Sequence, residues 1–274
     1  MKKRSLQLLV ICILVLSLSS IAVAGSTYIR RGLSHYERGE LEKAADSFKQ
    51  ALDANEDKAQ AYSNLGLIAR QQGNNEEAIE YFHQSLTYNA DIVSNYINLG
   101  DLYLQKSEYD QAIDNYSAAG NLSSHFIIQF KLGYAYYNYG DFEKATDYFY
   151  QVAEDQEYVY PSYYYLAASY RGMGEDEQAI EYYERSISYN PEYVRAYLGL
   201  GDLYLSLEEA EKAKEMYAEA IEANPNYYLS NFKQAHAQVE LDDIEGAKDS
   251  LRRTLHLNSD FAEAREILDE LEDL

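Results

Sequence analysis

The chain has 274 residues, with 46 Asp and Glu against 23 Lys and Arg, a formal balance of −23. So large an excess of carboxylate argues against a nucleic-acid ligand, which is gripped by clustered cations that displace counterions. A hydrophobic share of 47%, an aromatic share of 14% and only three Pro argue against a disordered chain, and a single cysteine, Cys12, leaves no disulfide framework and no cysteine-based metal site.

The first element is an address. Met1, Lys2, Lys3 and Arg4 make a basic start, residues 6–18 an apolar run, and Ala22-Val23-Ala24 a small-x-small cleavage signal before Gly25. Residues 1–24 therefore read as a signal peptide, and the protein as exported, periplasmic or extracellular. The alternative is an uncleaved membrane anchor over residues 6–24, close to the ~20 residues of a spanning helix. It would be the chain's link to a membrane and would also leave the body outside the cytoplasm. Cys12 lies in the middle of the apolar run, which does not fit a lipoprotein.

The rest of the chain repeats one unit seven times. Alanine recurs at Ala44, Ala78, Ala112, Ala145, Ala179, Ala213 and Ala247, a 34-residue spacing broken once by a 33. Twelve residues before each stands a small residue, namely Gly32, Gly66, Gly100, Gly133, Ala167, Gly201 and Ala235. Four residues after each stands a bulky one, from Phe48, Phe82, Tyr116 and Phe149 to Tyr183, Tyr217 and Leu251. Small residues let two helix backbones approach while a large side chain fills the groove beside them, so the unit reads as a helical hairpin. The first helix carries its core stripe at i, i+3, i+4, i+7, as in Tyr96, Leu99, Gly100 and Tyr103. Gly39, Gly73, Gly140 and Gly174 fall where a left-handed cap would join the two helices, and Pro191 and Pro225 close second helices. The pairs Glu76-Glu77 and Glu208-Glu209 read as acidic openings of second helices, where negative charge complements the helix dipole.

A 34-residue period with an aromatic-x-x-Leu-Gly start, an alanine column, an aromatic column and a closing proline resembles the tetratricopeptide repeat family. The resemblance covers about residues 25–259. It implies an all-α fold, a right-handed solenoid of seven helix-turn-helix units whose first helices line a concave groove that commonly receives an extended peptide or a partner's tail. The first and last units depart from the pattern at Arg31, Asn231 and Gln234, as terminal units that face water do. Over residues 260–274, Phe261, Ala264, Ile267, Leu268 and Leu271 form one apolar face and read as a C-terminal capping helix. The third unit is one residue short and has Gly120 where its sisters carry Leu52, Leu86, Ile187, Ile221 or Leu255, which predicts a bend or looser joint after residue 118.

Nothing in the sequence assembles a catalytic, metal or cofactor site. His35, His83, His125, His236 and His256 occupy five different phases of the repeat, and no His-x-x-x-His pair, calcium loop or Gly-rich phosphate loop occurs. Binding residues are easier to nominate. The column one or two residues after the aromatic that opens each first helix reads Arg30, Asn64, Asn98, Lys131, Tyr165, Gly199 and Lys233. Asn64 and Asn98 resemble the asparagine ladder with which some family members hold a peptide backbone, and Arg30 and Lys131 flank them with positive charge that favours an acidic ligand. Of 30 tyrosines, eleven lie between Tyr134 and Tyr165. Phe130, Tyr134 and Tyr137 form a second apolar stripe on their helix, and Tyr164 and Tyr165 follow at nearly matching phases. The sequence thus predicts a non-catalytic scaffold that binds a protein or peptide along Arg30, Asn64, Asn98, Lys131, Phe130, Tyr134, Tyr137, Tyr164 and Tyr165, in a bacterial cell envelope. The rival readings are a self-associating structural protein, for example a homodimer, and a glycan or cell-wall binder that uses the same tyrosines.

Overall fold

A computed structural model of the chain describes residues 27–153 and 159–273, and among the described residues it forms fifteen helices and no strand. The signal or anchor segment lies outside the described residues. Among the described residues no helix is long and apolar enough to cross a membrane. The chain divides into two compact units, one ending at Ser123 and the other starting at Ser124, next to the repeat that is a residue short and carries Gly120.

The first unit holds three hairpins. They pair α1 (Thr27–Glu37) with α2 (Leu41–Asp53), α3 (Lys58–Gln71) with α4 (Asn75–Tyr88), and α5 (Val93–Gln105) with α6 (Tyr109–Leu122). The second unit holds four more and a last helix. Its pairs are α7 (Phe126–Tyr139) with α8 (Phe142–Ala153), α9 (Val159–Met173) with α10 (Asp176–Tyr189), α11 (Val194–Ser206) with α12 (Ala210–Ala223), and α13 (Tyr228–Glu240) with α14 (Ile244–Leu257). Helix α15 (Ala262–Glu272) packs on α14 and buries Ala264, Leu268 and Leu271 against a cluster that includes Phe232 and Leu251.

The sequence columns are the packing contacts. Every alanine of the column is fully buried, and the bulky column is 0% exposed at Phe48, Phe82, Tyr116, Phe149, Tyr217 and Leu251. Burying a ring of that size is worth about 1.5–3 kcal/mol, so this column is a main source of cohesion. The small column exists because the ring lies against it. A Cβ built on Gly32 would sit 2.6 Å from the Phe48 ring, one on Gly66 2.8 Å from Phe82, and one on Gly201 2.5 Å from Tyr217.

Each hairpin turns in the same way. A backbone N–H two or three residues past the end of the first helix donates to a carbonyl five residues back, from Glu40 to His35, Asn74 to Ala69, and so on to Asp243 to Gln238. That closure needs a left-handed residue between them. Gly39, Gly73, Gly140 and Gly174 supply it, but Ser107, Glu208 and Asp242 hold the same conformation with φ of 60°, 62° and 59°. Glu208-Glu209 therefore does not open a helix: Glu208 is the left-handed turn residue and Glu209 the cap before α12, whereas Glu76 and Glu77 do lie in the first turn of α4.

Helices α4, α6, α10, α12 and α14 stop at a common phase with or without proline. Asn89, Asn190, Asn224 and Asn258 cap α4, α10, α12 and α14 in extended conformation. The first three also accept, through Oδ1, the N–H two residues on, an Asx turn that leads the chain away from the helix. At the start of the first unit, buried Glu56 reaches back from the loop after α2. Its carboxylate accepts the N–H groups of Tyr28 and Ile29 at 3.1 and 2.9 Å, satisfying donors that a helix start leaves orphaned.

Candidate binding groove

In the second unit the first helices of neighbouring hairpins touch in series, α7 with α9, α9 with α11, and α11 with α13. Side chains on the same face of these four helices are thereby brought together from residues about 34 apart. Tyr165 of α9 is the centre of an aromatic cluster. Its ring centroid is 5.2 Å from that of Tyr134, 5.7 Å from those of Phe130 and Tyr137, 5.3 Å from Phe149 and 5.0 Å from Tyr164. Most of these contacts are edge-to-face, the arrangement the ring quadrupoles favour. Burial pushes the phenols of Tyr164 and Tyr165 up to about 12, so at neutral pH both are hydroxyl donors.

Beyond this cluster a pocket of about 250 Å³ opens between α7, α9, α11 and α13. Tyr137, Tyr164, Tyr183 and Tyr227 form its aromatic walls, and Arg171, Arg195, Lys233 and Asp202 are its charged groups. Position 199 has no side chain, and a Cβ there would stand 2.6 Å from the Tyr183 ring, so glycine is what lets that ring reach the groove. Asp202 is held from two sides. Lys233 Nζ donates to its two oxygens at 2.8 and 2.9 Å, and the hydroxyl of Tyr217 donates to Oδ1 at 2.7 Å. Tyr217 is fully buried, so its hydroxyl requires that acceptor.

The nominated residues separate by unit. Phe130, Lys131, Tyr134, Tyr137, Tyr164 and Tyr165 lie on α7 and α9, and the five aromatics among them make contact. Arg30, Asn64 and Asn98 lie in the first unit, on α1, α3 and α5. Arg30 and Lys131 both have interactions of their own. Asn64 and Asn98 each donate Nδ2 to the carbonyl four residues back, at 2.7 and 2.8 Å. Asn115 and Asn138 do the same, so this bond is a habit of helical asparagine in the chain and no mark of a ligand. Asn98 also accepts from Arg70, whose guanidinium pairs with Asp101 at 3.4 Å, while the buried Tyr116 hydroxyl donates to Asp101 at 2.6 Å. Asp101 with Tyr116 thus repeats, three repeats earlier, the arrangement of Asp202 with Tyr217.

Arg171, Arg195 and Tyr227 were not among the sequence candidates. Arg171 shares its repeat phase with Tyr137 and Arg70, a signal present in the sequence. Arg195 lies in the first turn of α11, two residues ahead of Tyr197, and only stacking against α9 sets it over the ring of Tyr164, 5.6 Å from the centroid. Among the described residues no group of three His, Cys, Asp or Glu side chains could hold a metal ion.

Two sequence profiles of the tetratricopeptide repeat match the chain, one over residues 29–90 and 97–158 and the other over 170–239. The chain belongs to the tetratricopeptide repeat family. Solved structures agree on the fold. A tetratricopeptide repeat protein from Parabacteroides merdae is 19% identical with a TM-score of 0.69, over 90% of this chain and 98% of its own. PilF of Pseudomonas aeruginosa is 21% identical with a TM-score of 0.59, over 78% of this chain and 97% of its own. YrrB, described as a TPR protein with an unusual peptide-binding site, is 21% identical with a TM-score of 0.56, over 68% of this chain and 96% of its own. No curated protein matches the sequence. Tetratricopeptide repeats are an interaction fold, and their stacked first helices offer a surface for another protein.

Proposed function

We propose that this tetratricopeptide repeat protein is a non-catalytic adaptor that holds an extended segment of a partner protein along the first helices of its second unit. The observation that carries the reading is the aromatic cluster around Tyr165, which leads directly into the pocket between Tyr164 and Lys233. Clustered tyrosines give large contact area at small entropic cost and present hydroxyls to a partner backbone, which is why they dominate recognition surfaces. The peptide-binding site named for YrrB is in keeping with it. Export rests on the basic start, the apolar run and the Ala22-Val23-Ala24 signal, and the envelope-assembly role rests on the resemblance to exported members of the family.

The test is capture from an envelope extract by the chain lacking residues 1–24, with a Tyr134→Ser, Tyr137→Ser variant as the control. Those two tyrosines are partly exposed, so the variant keeps its helical spectrum. Specific partners held by the wild type and lost by the variant support the reading. Equal capture by both would remove the aromatic cluster from it.

A further inference from the structure

Among the described arginines, Arg38, Arg70, Arg185 and Arg252 pair with a carboxylate, whereas Arg31 and Arg265 bond to neutral oxygens. The two arginines of the pocket also meet neutral groups. Arg171 donates to the main-chain carbonyl of Asp202 at 3.4 Å, and Arg195 lies over the face of Tyr164. The acid of the pocket wall, Asp202, is already taken by Lys233 and Tyr217. The described lining of the pocket therefore carries three cations, Arg171, Arg195 and Lys233, against one carboxylate, inside a protein of net charge −23.

The cavity has the size of a single side chain. Its volume of about 250 Å³ falls below the ~300–1,000 Å³ of sites for free small molecules. Its remaining walls are apolar or aromatic, with Ala168, Leu198 and Leu229 beside the tyrosines.

Resting on the adaptor reading above, we infer that this pocket takes an internal acidic residue of the partner segment, its carboxylate bound by Arg171 and Arg195 and its apolar neighbour laid on Tyr137, Tyr164 and Tyr183. Guanidinium groups bind carboxylates through parallel N–H donors, and the rings beside them offer an apolar seat for the acid's neighbour. Asp202 fixes the selectivity by occupying Lys233, which leaves the planar arginines as the receptor for the incoming acid. The recognised feature is a side chain, so both ends of the bound segment are free to continue.

The experiment uses three labelled heptapeptides, blocked at both ends, with a central Phe flanked on both sides by Glu, Gln or Lys, titrated into the chain lacking residues 1–24 and followed by anisotropy. The Glu peptide is expected to bind about tenfold tighter than the Gln peptide. An Arg171→Gln, Arg195→Gln variant should lose that preference while its affinity for the Gln peptide stays the same. Arg195 is exposed, so Arg195→Gln alone supplies the test if the double variant is less stable, with a smaller loss of the same sign. Glu and Gln peptides that bind the wild type alike, or a Lys peptide that binds best, would overturn the inference and leave the groove reading standing. Failure of all three to bind would remove both.

Discussion

The contact between Asp202 and Tyr217 makes a prediction about energy coupling that can be worked from the structure. Tyr217 is fully buried, and its hydroxyl donates to Asp202 Oδ1 at 2.7 Å. Asp202→Ala strands that hydroxyl, which costs about 1–3 kcal/mol, and also breaks the pair with Lys233. Both members of that pair are near 30% exposed, so its share is under about 1 kcal/mol. The expected loss is about 1–4 kcal/mol. Tyr217→Phe removes the donor instead and leaves Asp202 with Lys233, for a loss of about 1 kcal/mol. In the double variant no hydroxyl is stranded, so the total should fall short of the sum of the single losses by about 1–2 kcal/mol. Urea unfolding followed by circular dichroism measures the three losses, with native-state hydrogen exchange of α11 and α12 as a local check, because repeat arrays need not unfold in one step. Asp101 and Tyr116 form an equivalent contact in the first unit and should show the same coupling. Single losses that add to within about 0.5 kcal/mol would refute the reasoning, since independent sites behave that way.

Three further outcomes are expected. Glu208→Gly should raise stability by about 1 kcal/mol in urea, because Glu208 holds a φ of 62° that costs any residue with a Cβ, and Gly174→Ala should lower it by a similar amount. Glu56→Ala should destabilise the start of the first unit by about 1–2 kcal/mol, seen as faster hydrogen exchange in α1, and unchanged exchange would deny Glu56 its capping role. Tyr164 and Tyr165, raised by burial to about 12 against an ordinary 10.0, keep a proton in the folded chain that the unfolded chain gives up. Their stabilisation is therefore complete below pH 10 and is lost as pH rises through 12, so alkaline melts should show cooperative unfolding together with late tyrosinate absorbance. Tyrosine titration that is complete near 10 before any unfolding would contradict this.

Some of the site was written in the sequence and some was not. The aromatic stripe of Phe130, Tyr134 and Tyr137 could be placed against Tyr164 and Tyr165, because residues on one helix and on the next first helix are related by the period itself. The pairing of Asp with Tyr fifteen residues later, at Asp101 with Tyr116 and at Asp202 with Tyr217, was legible too: tyrosine replaces phenylalanine in the bulky column where such an acid stands. The closing asparagines were another available signal, at the same phase in four units. Asn98 is where phase and contact part. Its phase nominated it as a ladder residue, yet Arg70, 28 positions earlier, claims its carbonyl, and phase alone does not rank a neighbour against a ligand.

By itself the sequence determined the hairpin, its seven copies and the residues that bury, because each of those depends on contacts within one repeat length and on the size of the side chains at fixed offsets. Only the tertiary structure decided which charges share a cavity. Arg171, Arg195 and Lys233 come from three helices, and whether a long side chain turns toward an acid, a ring or open groove depends on side-chain competition across neighbouring helices that no period encodes.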